Sequence, residues 1–80
     1  MAIIRVQLTF PQEKVKRPVI YEIGHEFDVV TNIRRANVTA NAGWVMLEIS
    51  GELSEIERAI ENLKSRGVRV DPLEGDVVRL

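Results

Sequence analysis

Side chains alternate from Ala2 to Phe10, with Ile4, Val6, Leu8 and Phe10 on one face and Ile3, Arg5, Gln7 and Thr9 on the other. A period of two over this length, with β-branched content, predicts a half-buried strand. Pro11 ends it, since proline has no N–H to give the ladder. From Pro18 the period changes. Ile20, Ile23, Gly24 and Phe27 stand at i, i+3, i+4 and i+7 and form one apolar helical stripe, with Pro18 suited to the first turn. Gly24 lowers helix propensity by roughly 1 kcal/mol against alanine, a cost that close approach of this helix to a sheet would explain.

Residues 29–39 predict a second strand whose parity slips. Val29, Thr31 and Ile33 share one face, whereas Ala36 and Val38 need the opposite register. A β-bulge near Arg34–Arg35 reconciles the two halves. Ala40-Asn41-Ala42-Gly43 has turn chemistry, and Trp44–Ile49 returns with Val45, Leu47 and Ile49 opposed to Trp44, Met46 and Glu48, so residues 29–50 read as a hairpin. The second helix gives the clearest signal. Ser54 and Glu57 spell a capping box, Ile56, Ala59, Ile60 and Leu63 make the core stripe, and Gly67 suits a left-handed C-terminal residue. Val68 and Val70 open a last strand that Pro72 restricts to an edge. Glu74-Gly75-Asp76 reads as a turn, followed by either a short strand extension at Val77-Val78 or a flexible tail over 75–80. The order β-α-β-β-α-β predicts an α+β, two-layer sandwich of ferredoxin-like topology, a four-stranded antiparallel sheet with both helices on one face, in a single domain over 1–80.

Composition then removes whole classes of function. The 80 residues contain no cysteine and one histidine, His25, which excludes disulfides, thiol catalysis, thiolate-held clusters and a multi-histidine metal site. No metal and no cofactor are expected. Eleven Lys and Arg against twelve Asp and Glu, a net charge of −1, argue against a general polyanion binder and so against nucleic acid. No apolar run approaches the ~20 residues of a membrane span, and Met1 leads into a strand without a secretory signal. The expectation is a cytoplasmic protein with no membrane insertion.

Candidate chemistry gathers on the sheet face away from the helices, which carries Ile3, Arg5, Gln7, Thr9, Trp44, Met46, Glu48 and, by this reading, Arg34. Tryptophan and methionine beside arginines suit a binding or dimer surface, with Trp44, Met46 and Arg5 as its residues; the alternative is that Trp44 caps a sheet end. Asn32 offers a donor and an acceptor without charge, which suits a zwitterion, or else serves the local backbone of a bulge. Arg34 and Arg35 can clamp a planar anion or stand as solvated charges that deter edge pairing, and as strand neighbours they are expected on opposite faces. The paired aromatics of an RNA-binding sheet are absent. His25 lies beside Glu22 and Glu26 on a helix face, with no nucleophile or oxyanion donor near it in sequence. No catalytic residue is assigned and an enzyme is not expected. Glu52, Glu55 and Glu57 at the start of the second helix, and Lys64 and Arg66 at its end, follow its dipole.

Phe27-Asp28-Val29-Val30-Thr31-Asn32-Ile33, with Gly51 after the third strand and Gly67-Val68-Arg69-Val70 after the second helix, resembles the NIL domain over about residues 2–74. That family is named for an Asn-Ile-Leu run in this strand; Arg34 stands at the Leu position. The resemblance implies one of two settings. Some members end methionine-importer ATPases as ACT-like regulatory modules that pair as dimers and bind methionine. Others stand alone or precede a two-cluster ferredoxin domain in proteins of sulfur amino-acid metabolism, and Arg5 to Pro11 with Val30 to Ala36 is more similar to these. The chain stops at Leu80, about where a ferredoxin half would begin, so cluster chemistry is not expected. The resemblance therefore implies a non-enzymatic regulatory module, a homodimer that binds a sulfur-containing amino acid such as methionine at a dimer groove near Asn32, Ile33 and Arg34. The alternative is an interaction module that docks onto a ferredoxin-type or sulfur-transfer partner and binds no metabolite.

Overall fold

β1 (Ala2–Phe10) lies between two antiparallel neighbours, so both rows of its backbone donors and acceptors are used. In the computed structural model, which describes residues 1–11, 18–39 and 43–79, the other elements are α1 (Val19–Glu26), β2 (Val29–Val38), β3 (Gly43–Gly51), α2 (Leu53–Ser65) and β4 (Arg69–Arg79). The sheet order is β2-β3-β1-β4, with every pair antiparallel. Both helices pack on one face, giving the ferredoxin-like sandwich the periodicity requires. Residues 40–42 of the predicted turn lie outside the described residues, but the hairpin strands pair from Val29↔Gly51 to Val38↔Gly43.

Alternation sorts the strands as expected. Val6, Leu8, Val45, Leu47 and Ile49 are buried against Ile23, Ile56, Ala59 and Leu63 of the helices. Each fully buried aliphatic side chain is worth about 1.5–3 kcal/mol, so this single interface carries the stability. The α1 stripe is rotated from its expected position: Val19 and Ile23 are buried, while Ile20 and Phe27 only flank the core. The bulge is where parity demanded it, with a register shift between Ile33 and Arg35. Ile33, Ala36 and Val38 therefore share the helix-side face with Val29, yet all three are exposed. The reason is length. Eight residues of α1 cover about 12 Å, whereas the ten residues of β2 run about 33 Å and pass beyond it.

Three local expectations are corrected. α2 starts at Leu53 with Glu52 as its N-cap and no side-chain cap, because Leu53 packs against the core and draws Ser54 into the helix. Glu52 C=O instead accepts from the N–H groups of Glu55 and Ile56, both at 3.0 Å. Gly24 has no sheet pressed against it: a Cβ there would meet only Thr31 Oγ1, at 4.0 Å. In β4, pairing with β1 runs from Arg69↔Thr9 to Pro72↔Val6 and resumes at Val77↔Ile4, so residues 73–76 stand opposite Arg5 alone. The turn-forming residues Glu74-Gly75-Asp76 fall in this irregularity, and Val77 and Val78 continue the strand.

Gly67 closes α2 as expected. Its φ of 85° permits a Schellman motif, in which Gly67 N–H donates to Lys64 C=O at 3.0 Å and Val68 N–H to Leu63 C=O at 3.1 Å. Arg66 then ties the two helices together, donating from Nη2 to Glu26 at 2.9 Å, from Nη1 to Glu22 and from Nε to Asn62 at 2.7 Å.

Gly24→Ala should stabilise the protein by about 0.5–1 kcal/mol, since the site has room and the helix gains propensity; urea unfolding monitored by circular dichroism checks this. Gly51→Ala should cost about 1–3 kcal/mol in the same assay, because Gly51 has φ +153° and a Cβ would lie 2.8 Å from Asp28 C=O.

Candidate functional site

Two irregularities fall at neighbouring levels of the sheet. The β2 bulge inserts Arg34 beside Leu47 and Met46, and the β4 irregularity faces Arg5, the register partner of Glu48. Between them the open face is concave, with a volume of about 190 Å³ lined by Arg5, Arg34, Met46, Leu47, Glu48 and Leu73. Glu48 is at its centre. Arg5 Nε donates to Glu48 Oε2 at 2.9 Å, and Arg34 Nη1 stands 4.0 Å from Oε1. Asn32 is the register partner of Glu48 on the adjacent strand, with its amide beside the same carboxylate. The Arg5 hydrogen bond, with the positive charges of Arg34 and Arg5 and the Asn32 amide, holds the Glu48 carboxyl below its ordinary range despite some desolvation.

The predicted site residues are thus partly brought together. Asn32, Arg34, Arg5 and Met46 meet around Glu48. Trp44 shares that face two residues along β3, half-buried between its register partners Thr9 and Asn37. Ile33 does not join them, since a strand neighbour of Asn32 turns to the opposite face. The bulge also changes the expectation for the arginine pair. Arg34 reaches toward Glu48, and Arg35 is the register partner of Met46, so both belong to the open face instead of opposite ones. Leu73 escaped sequence reasoning, and Glu48 was read only as one of the face. The signal for Glu48 was an acid opposite Arg5, which appears only once the β1–β3 register is known.

Ile33 lines a second concavity, on the helix side where β2 passes beyond α1. This apolar groove of about 240 Å³ is bounded by Phe10, Val19, Tyr21, Ile33, Val38 and Val45 among others. Tyr21, Ile33 and Val38 are each more than half exposed at its rim. Among the described residues its wall has no charged side chain to meet either end of a zwitterion. The remaining charges are structural. Glu55 accepts from Asp28 N–H at 3.0 Å and pairs with Arg58, whose guanidinium lies 5.4 Å from the Phe27 ring centroid. His25 is exposed, its ring 4.1 Å from that of Tyr21. Among the described residues, no helix is long and apolar enough to cross a membrane.

Comparison with known proteins agrees with this architecture. The sequence pattern of the NIL domain matches residues 4–72. The methionine import ATP-binding proteins MetN of Francisella tularensis subsp. holarctica, strains OSU18 and LVS, are each 33% identical over 72 residues, 85% of this chain. The chain spans only 21% of the length of these relatives. Among solved structures, the C-terminal domain of an ABC transporter ATP-binding protein from Enterococcus faecalis superposes with a TM-score of 0.78 at 28% identity, covering 91% of this chain and 86% of that one. The de novo designed protein Foldit4 shares the fold alone, with a TM-score of 0.60 at 14% identity over 99% of this chain and 97% of its own.

A carboxyl whose folded-state pKa is depressed adds stability above the ordinary glutamate range and loses it as pH falls through the lowered value. Carbon-detected NMR titration should therefore give Glu48 a midpoint below 4.5, and Arg5→Gln should move it back upward. An unchanged midpoint in that variant would detach Arg5 from the control of Glu48.

Proposed function

The chain belongs to the NIL domain family, and on that premise we propose that it is a non-enzymatic regulatory module that binds a sulfur-containing amino acid such as methionine. The observation that carries the reading is the open-face concavity, where Asn32, Arg34 and Arg5 surround Glu48 and apolar Met46 and Leu73 stand beside them. The role named for the MetN relatives, methionine import, supports a methionine-like ligand. Two copies packed through the open faces would cover Trp44 and Met46 and enclose the concavity as a dimer groove. Ligand then shifts the dimer equilibrium if it binds the paired state more tightly. We place the module in the cytoplasm, on the energised side of an importer or among sulfur amino-acid enzymes.

A second reading has its own observation. Among the residues whose side chains are described, Arg5, Arg34, Arg35 and Arg69 outnumber Glu48 and Asp71 on the open face, which suits docking of an acidic ferredoxin-type or sulfur-transfer protein with no metabolite.

Isothermal titration calorimetry with methionine, homocysteine and cysteine separates the two. Saturable heat that falls at least tenfold in affinity in Asn32→Ala is expected for the ligand reading, and silence with all three amino acids favours docking. Sedimentation velocity should show a concentration-dependent dimer that Trp44→Ala shifts to monomer; a monomer at every concentration removes the dimer groove.

A further inference from the structure

The open face sets a sulfur atom among guanidinium groups. The chain has two methionines and no cysteine, and Met46, in the middle of β3, is the methionine that the sheet positions. Alternation turns its side chain away from the aliphatic core, so it stands half-buried in the wall of the concavity with Arg5, Arg34 and Glu48. Its register partners are Gln7 and Arg35, and the bulge inserts Arg34 beside them. Arg34 is 60% exposed, and its Nη1 lies 4.0 Å from Glu48 Oε1, beyond hydrogen-bond distance. A thioether is a weak acceptor and gains little from such neighbours, whereas its sulfoxide is polar and its oxygen is matched by guanidinium and amide donors. The same donors favour the path to that state. When hydrogen peroxide oxidises a thioether, a sulfur lone pair attacks one peroxide oxygen and the S–O bond forms as the O–O bond breaks. The other oxygen leaves as hydroxide and takes the proton of the transferred oxygen, giving water; sulfur loses two electrons and the peroxide gains them. A cation placed where the departing oxygen becomes negative lowers this barrier.

We propose that Met46 is a reversible oxidation site: the Arg34 guanidinium speeds conversion of its thioether to the sulfoxide by hydrogen peroxide and then holds the sulfoxide oxygen. Neither a bound metabolite nor a dimer is needed, so the site stands apart from both readings above. A volume of about 190 Å³, the share of about six waters in the liquid, admits the oxidant. Because Met46 lies outside the hydrophobic core, the fold survives its oxidation and the change stays on the open face. There an apolar wall becomes polar, and Arg34 turns from Glu48 to the new acceptor. Methionine sulfoxide reductases restore the thioether.

The test adds dilute hydrogen peroxide to the full chain, with N-acetylmethionine in the same solution as a fully exposed reference, and follows both sulfoxides by peptide mass spectrometry. Partial burial alone makes Met46 the slower of the two. Met46 should instead react at least twofold faster than the reference, and Arg34→Gln should slow it at least threefold while the reference is unchanged. Oxidation should also raise the Glu48 midpoint in carbon-detected NMR titration, a rise that peroxide-treated Met46→Leu lacks. A Met46 rate at or below the reference overturns the proposal without recourse to any variant. An Arg34→Gln rate equal to that of the unaltered protein overturns the part given to Arg34, and a Glu48 midpoint that oxidation leaves in place overturns its capture by the sulfoxide.

Discussion

Register along β1 is the constraint from which everything else follows. Its side chains alternate between an aliphatic set that meets the helices and a polar set that meets solvent, and β3 repeats the same alternation opposite it. A slip of one residue would turn Val6 and Leu8 outward and send Arg5 and Gln7 into the core. Because no polar side chain among the described residues is buried in the core to tolerate such a change, the sheet has one workable alignment. Arg5 and Glu48 become neighbours only in that alignment. Hydrophobic burial on one side of the sheet thus fixes the electrostatics of the other.

The bulge in β2 and the irregularity in β4 work on this frame from opposite edges. The β4 irregularity stands opposite Arg5 and the β2 bulge opposite Leu47 and Met46, the next residues back along β3 from Glu48, and Pro72 reinforces the interruption in β4. Edges broken in this way are poor templates for adding further strands. The same interruptions hollow the open face at its middle and bring Arg34 onto it. Recognition chemistry therefore sits at the sheet's centre, away from its borders.

Much of this was legible in the residues. Strict alternation in β1 and β3, and the parity conflict between Ile33 and Ala36, specify the sheet faces and the bulge without tertiary information. The α2 stripe and Gly67 specify a helix and its end. What escaped depended on three-dimensional context. Ser54 looked like a cap until Leu53 found a place in the core, one turn of packing outweighing a side-chain hydrogen bond. Gly24 suggested a close approach, but the space above Thr31 is open. For the site, residue type pointed to Asn32, Arg34 and Arg5, whereas the carboxylate that unites them is separated from each in sequence and emerges only from strand pairing. Ile33 was grouped with Asn32 by adjacency, and a pleat separates what adjacency joins.

Arg66 follows the last turn of α2 and reaches both acidic residues of α1, with Asn62 steadying its guanidinium. One side chain thereby couples the ends of two elements that are far apart in the chain. The helical layer is latched into a single rigid plate, and shape changes that accompany recognition must be absorbed by the twist of the strands beneath it.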